Sequence, residues 1–185
     1  MDTTLTKHRW FWPWQDEKEE AWLEEMSAQG WHLISVGLPW TYKFSLGAAR
    51  HYVYRLDYMY MNKQKQTDYL QIFRDAGWEY LGEMTNWRYW RKPVEAGGAV
   101  EIYTDNASKI KKYQRVLLFM AFFLLLLVML AINLFNGGRS MSGLSSVIDA
   151  IYLFAQLVYA IIIPTYIVVL IKLLLRINQL RHQAL

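Results

Sequence analysis

Residue types able to do acid–base or metal chemistry are few in this chain and poorly grouped. The amino-terminal half contains His8, His32 and His51. None has a second imidazole or a carboxylate at the helical or strand spacing that a metal site uses. Glu24 and Glu25 are adjacent, so on a helix they diverge rather than converge on a substrate. His51, Arg55 and Asp57 alternate onto one strand face, and a solvated polar surface explains that trio better than an acid–base pair. No G-x-S-x-G, phosphate-binding glycine loop or H-E-x-x-H sequence occurs. Cysteine is absent, so there is neither a disulfide framework nor a thiolate. The pattern argues against an enzyme and implies no metal and no cofactor. A carboxylate or histidine at the floor of a pocket would be needed to argue for an enzyme acting on a lipid or a peptide.

Aromatic side chains are the abundant resource. All nine Trp and nine of the thirteen Tyr precede residue 109. Trp40 and Tyr42 recur as Trp87 and Tyr89, and Tyr54 joins them as a candidate. Together they line a groove for flat or cationic small molecules, or they form the core beneath the helices. In the carboxy-terminal half the candidates are Asn133, Asp149, Gln156 and Pro164. The first three offer polar contacts between apolar helices, with Asn133 and Asp149 able to meet. An ionisable group inside a bilayer marks function, but Asp149 stands about one turn from the boundary, where an interfacial carboxylate is the commoner explanation. Pro164 removes the hydrogen bond to the Ala160 carbonyl and should kink its helix.

These residues need elements to hold them. Val116 to Phe135 is continuously apolar apart from Asn133, which is the length of helix that crosses a bilayer. Val147 to Leu175 is a second, longer span, and Asn136 to Gly143 reads as a flexible polar connection between them. The net charge of +4 divides into −3 over residues 1–108 and +7 over residues 109–185. The basic balance therefore belongs to the membrane flanks, and the acidic head does not suit nucleic acid. Lys109, Lys111, Lys112 and Arg115 precede the hairpin, Lys172, Arg176 and Arg181 follow it, and Arg139 stands alone between. By the positive-inside rule both termini are cytoplasmic. Met1 to Gln15 has no continuous apolar core of a secretory signal, so the head is expected to stay where it is made.

Within the head, residues 1–7 are expected to fray. His8 to Trp14 is expected as an edge strand, its rings packing into the head's core or anchoring at the membrane interface. Asp16 and Glu19 have capping-box spacing. The helix they open runs to about Gln29 with Trp22, Leu23 and Met26 inward and Glu17, Glu20, Glu24 and Glu25 mostly outward. It stops at Gly30-Trp31, followed by strands at Trp31–Val36, Trp40–Phe44 and Tyr52–Tyr58. A second helix over Lys63–Ala76, with Tyr69, Leu70 and Phe73 inward, stops at Gly77-Trp78. The displacement of 47 positions also matches Leu23 with Leu70, Met26 with Phe73, Trp40 with Trp87 and Tyr42 with Tyr89. One further residue pairs Tyr54 with Ile102 and Asp57 with Asp105, and the Glu95–Gly98 turn replaces that at Gly47. The expected fold is α+β: a tandem helix–strand–strand repeat, its two helices on one face of a shared antiparallel sheet. This occupies residues 1–108, and a transmembrane hairpin occupies residues 109–185.

Trp12-Pro13-Trp14-Gln15-Asp16-Glu17-Lys18-Glu19, Trp22-Leu23, Gly30-Trp31-His32-Leu33, Tyr54-Arg55-Leu56-Asp57 and Ala76-Gly77-Trp78-Glu79-Tyr80 resemble the bacterial family catalogued as domain of unknown function 2812, over roughly residues 7–105. The resemblance implies a cytoplasmic head followed by membrane helices. It also hints at envelope stress or export, and it supplies no catalytic residues. The function expected is a non-enzymatic sensor or adaptor of a bacterial inner membrane, tethered to the lipid bilayer, whose head binds a small molecule or a protein. The alternative is an accessory subunit or small homo-oligomer of a transport, export or envelope-stress system, working through the hairpin.

Overall fold

The computed structural model describes residues 3–59, 63–96, 100–103, 105–140 and 146–183. Its elements in chain order are β1 (Thr4–His8), α1 (Asp16–Ala28), β2 (Trp31–Gly37), β3 (Thr41–Leu46), β4 (Tyr52–Tyr58), α2 (Lys63–Asp75), β5 (Glu79–Met84) and β6 (Trp87–Pro93). A short 3-10 turn at Val94–Ala96, α3 (Asn106–Ser140) and α4 (Ser146–His182) complete them. Both head helices stop where the sequence says. Gly30 and Gly77 take positive φ of 85° and 84°, the left-handed cap that ends a helix at little cost only in glycine. A tryptophan then opens or precedes the next strand.

The strands form two antiparallel three-stranded sheets, ordered β1-β3-β2 and β4-β6-β5, which pack together along β2 and β5. The repeat is therefore strand–helix–strand–strand, one strand longer at its start than the sequence reading. Thr4–Lys7, expected to fray, and His8 form β1, which pairs with β3 (Lys7 opposite Tyr42) as β4 pairs with β6 (Leu56 opposite Tyr89). The edge strand expected over His8–Trp14 thus ends at His8, and residues 9–14 leave the sheet to pack their rings. Tyr52–Tyr58 opens the second unit instead of closing the first. The match of Tyr54 with Ile102 and of Asp57 with Asp105 is consequently not structural. Residues 100–103 are not strand, and Asp105 caps α3, accepting from the Ser108 amide at 2.6 Å.

Three faces differ from the pattern read in the sequence. The antiparallel surface is two sheets and not one. Its helices also take different sides. Tyr69 and Phe73 of α2 pack on Trp90, whereas α1 lies along the outer edge of β4 and shares a core with Leu33, Phe44, Leu56 and Tyr89. Finally, Arg55 and Asp57 are not solvated. Arg55 donates to Glu24 and Glu101, and buried Asp57 accepts from Tyr69 and Tyr103. Polar residues can share a strand face with bulky ones when a second layer supplies their partners. On α1 the capping box is not made, since Gln15 is the N-cap without a side-chain bond. Asp16, Glu19 and Glu20 are buried.

α3 and α4 pack as an antiparallel pair, and both are long and apolar enough to span a membrane. α3 continues through Asn136 to Ser140, so the expected connection begins inside the helix. Residues 141–145 lie outside the described residues, as do Gly97 and Gly98 of the expected turn. The pair is fastened to the head at one end. Tyr58, Tyr113, Val116, Val169, Leu173, Ile177 and Leu180 form a second buried cluster, with Trp12 and Trp14 against it.

Candidate functional site

The carboxylates at the start of α1 set the electrostatics. Asp16, Glu19 and Glu20 follow one another at helical spacing onto the stripe that carries Leu23 and Met26, so burying the stripe buries the acids. Each finds a different partner. Asp16 accepts from Lys112 Nζ at 2.6 Å and from Tyr113 Oη at 2.8 Å. Glu20 accepts from the Leu56 amide at 2.7 Å, and Glu24 from the Tyr54 amide at 3.2 Å. These two satisfy the open edge of β4. Glu19 Oε1 accepts from Tyr42 and Tyr89 hydroxyls, each at 2.6 Å. The two matched tyrosines of the repeat thus converge on one carboxylate.

Glu19 is 6 % exposed and pairs with no Lys, Arg or His among the described residues. Burial pushes its carboxyl from an ordinary 4.5 up to about 7, with the two phenols opposing and Asp16 adding to the rise. Burial likewise raises Glu20, against the pull of Lys112 and Arg55, and raises the Tyr42 and Tyr89 hydroxyls, whose ionisation beside Glu19 is further opposed by its charge.

Asp16 and Glu19 line the floor of a cavity of about 570 Å³ between the head and the helix pair. Its head side is Trp10–Pro13, Asp16, Glu19, Trp40, Tyr42, Tyr58, Met84, Thr85, Trp87 and Tyr89. Its other side is Val116, Phe119, Met120 and Phe123 of α3 with Ile161, Ile162, Thr165, Tyr166 and Val169 of α4. A smaller cleft of about 240 Å³ on the opposite flank of α1 is walled by Arg55, Glu20, Glu24, Glu101 and Lys109. Its charges pair with each other.

Four of the five aromatic residues singled out in the sequence line the larger cavity: Trp40, Tyr42, Trp87 and Tyr89. Tyr54 does not. It is wholly enclosed in the core beside Tyr52, four residues along β4 from Tyr58, which does line the cavity. Trp40 holds φ at +46°, a left-handed conformation costing a non-glycine residue roughly 1–2 kcal/mol. Its ring meets Trp10 at 3.8 Å between centroids. Strain of this sort is commonly retained at functional sites. The Trp10–Trp14 segment divides its rings: Phe11 packs on Trp22 and Tyr42 in the head core, whereas Trp12 and Trp14 stack at 5.2 Å against the helix pair.

The candidates on the helix pair sit elsewhere. Asn133 donates to the Met129 carbonyl one turn back at 2.8 Å. Asp149 lies exposed in the first turn of α4, where the helix dipole favours an anion. Gln156 is half-buried on α4. Pro164 is inside α4 next to Thr165, whose hydroxyl donates to the Ile161 carbonyl at 2.8 Å beside the cavity wall. Among the described residues no bond joins Asn133 to Asp149. The histidines stay apart: His32 Nε2 lies 2.8 Å from the Ala48 carbonyl oxygen and His8 Nδ1 lies 3.0 Å from Thr41 Oγ1.

Sequence reasoning passed over Asp16, Glu19, Tyr58 and the helix residues of the roof. The signal for the acids was available, since a helical projection puts them on the apolar stripe. The roof had none, because nothing in an apolar helix marks which side meets a head.

An aromatic α+β head is joined, through the buried Lys112–Asp16 pair, to two helices long and apolar enough to span a membrane, with a cavity at the joint. The chain belongs to the family described as protein of unknown function DUF2812, which it matches over residues 15–126. No curated protein and no solved structure matches it.

Proposed function

We propose that this chain is a non-enzymatic sensor or adaptor of a bacterial cytoplasmic membrane, multi-pass with both termini in the cytoplasm, whose head binds an apolar small molecule at the membrane joint. The observation that carries the reading is the cavity itself, half aromatic head and half apolar helix. A ligand dissolved in the bilayer reaches it without crossing water, and occupation bears on both parts at once. Pockets of about 300–1,000 Å³ with apolar walls and a few placed polar groups are the usual form of a small-molecule site.

Two features support the orientation. The basic residues flank the hairpin on the head's side. The carboxy-terminal end of α4 also returns to the head, where Arg176 donates to Glu17. Asp16 and Glu19 meet the condition that would favour an enzyme, a carboxylate at the floor. Yet Asp16 is held by Lys112, and Glu19 has two phenols and no second acid–base partner of suitable strength beside it. Binding accounts for the arrangement more simply than turnover.

The test uses the full chain in phospholipid nanodiscs titrated with the neutral fluorophore N-phenyl-1-naphthylamine. Saturable enhancement, reduced at least fivefold in both Ile162→Trp and Met84→Trp, is the expected result. Signal that scales only with lipid and ignores both substitutions would refute the reading. It would favour instead an accessory subunit or homo-oligomer working through the hairpin, for which crosslinking between copies is the check.

A further inference from the structure

Resting on the cavity reading above, we infer that the preferred ligand is a lipophilic organic monocation, held with its charge at Glu19 and its apolar body between the tryptophans and the α3–α4 wall. Three observations on separate elements lead there.

The first is charge. Two carboxylates floor the cavity, and only Asp16 has a cation: Lys112 Nζ at 2.6 Å. Glu19 is also buried and, among the described residues, receives only the neutral hydroxyls of Tyr42 and Tyr89. A buried anion without a countercharge is costly, and a site that holds one is complementary to a cation. The second is the lining. Trp10, Trp12, Trp40 and Trp87 line the cavity, and tryptophan rings attract organic cations once water is excluded. The chain already uses this chemistry next door, where Lys112 Nζ lies 5.9 Å from the Trp87 ring, 5.5 Å from Tyr103 and 5.1 Å from Tyr113 beside the Asp16 carboxylate. The third is the roof. Among the described residues it carries no charged side chain: Phe119, Phe123, Ile161 and Ile162 are apolar, and its hydroxyls are those of Tyr166 and of Thr165, which donates to the Ile161 carbonyl. A strongly hydrated ion such as a metal or a simple ammonium is therefore disfavoured against a greasy one.

The groups facing Glu19 are Asp16 from its own helix, Tyr42 from β3 and Tyr89 from β6. Tyr58 and Tyr166 lie farther round the cavity. Arg9 acts on Tyr42 but stacks 5.0 Å over the Trp22 and Phe11 rings. Lys112 is committed to Asp16. A non-titrating cation therefore gains affinity as Glu19 ionises. With that carboxyl near 7, its ionised share rises about tenfold between pH 6 and pH 8.

The experiment uses the full chain in detergent or nanodiscs and two probes of one size and opposite charge, tetraphenylphosphonium and tetraphenylborate, with neutral triphenylphosphine oxide as reference. Isothermal titration at pH 6 and pH 8 reads the affinities. Tetraphenylphosphonium is expected to bind at least tenfold tighter than tetraphenylborate at pH 8 and to gain about tenfold from pH 6 to pH 8. Glu19→Gln should abolish that gain. If the variant does not fold, the wild-type charge preference and pH slope decide alone. Equal binding of all three probes, or a pH-independent affinity, overturns the cation assignment and leaves the apolar cavity standing. Binding of none removes both.

Discussion

At the residue scale, Glu19 is the most consequential side chain and the easiest to test. Its carboxyl titrates near 7 in the folded chain and near 4.5 unfolded. Between those values the folded state binds more protons, so stability is highest below about pH 4.5 and falls as pH rises toward 7. The interval corresponds to about 3 kcal/mol at most. Glu19→Gln should remove this part of the pH slope, leaving that of Glu20, and should raise the melting temperature at pH 8 relative to wild type. Thermal unfolding in detergent across pH 4–8 checks both. Asp16 differs in having a cation as its partner. Lys112→Met leaves a carboxylate that is 2 % exposed with only Tyr113, and a loss of roughly 3–5 kcal/mol is expected. Adding Asp16→Leu should restore most of it. The exposed pair of Arg176 with Glu17 is a contrast: Arg176→Ala should cost less than about 1 kcal/mol. None of these roles was read from the sequence. Acids in the first turn of a helix have an obvious solvent-facing use, and only the partner elements, Tyr42, Tyr89 and Lys112, reveal the buried one.

Among elements, the two helix–glycine–tryptophan boundaries are alike locally and unlike in packing. A Cβ on Gly30 would lie 2.7 Å from the Gly47 carbonyl oxygen, which is backbone that also hydrogen-bonds here, whereas at Gly77 it would meet the flexible end of Lys92 at 3.4 Å. Both alanine substitutions pay the left-handed cost of roughly 1–2 kcal/mol. Gly30→Ala should cost clearly more than Gly77→Ala, and paired melting curves are the check. The helices, their glycine C-caps, the strands Trp31–Gly37, Thr41–Leu46 and Tyr52–Tyr58 and the 47-residue repeat were legible, because periodicity and glycine punctuation are local signals. The strand that opens each unit was not. Thr4–His8 is polar and short, and its equivalence to β4 is a matter of pairing with β3 and β6, which no local pattern records. The same limit put both helices on one face: alternation says that β4 and β6 have two buried-capable sides without saying what covers each.

On the scale of the whole molecule, the account is that the head rests on the membrane surface, closed over a cavity whose roof is the helix pair. Two apolar spans and their basic flanks were plain in the sequence. The seat of the head on them was not, because it depends on long-range pairs such as Asp16 with Lys112, 96 residues apart. All nine Trp belong to the head, so tryptophan fluorescence reports on the head alone. The most direct measurement reconstitutes the full chain in vesicles with lipids brominated high on the acyl chain, at the glycerol end. Trp10, Trp12, Trp40 and Trp87 at the joint predict that about a third or more of the emission is quenched, and more by these lipids than by lipids brominated near the bilayer centre. Emission unchanged by either lipid would mean that the head stands clear of the bilayer, and the cavity would not be a membrane-side site.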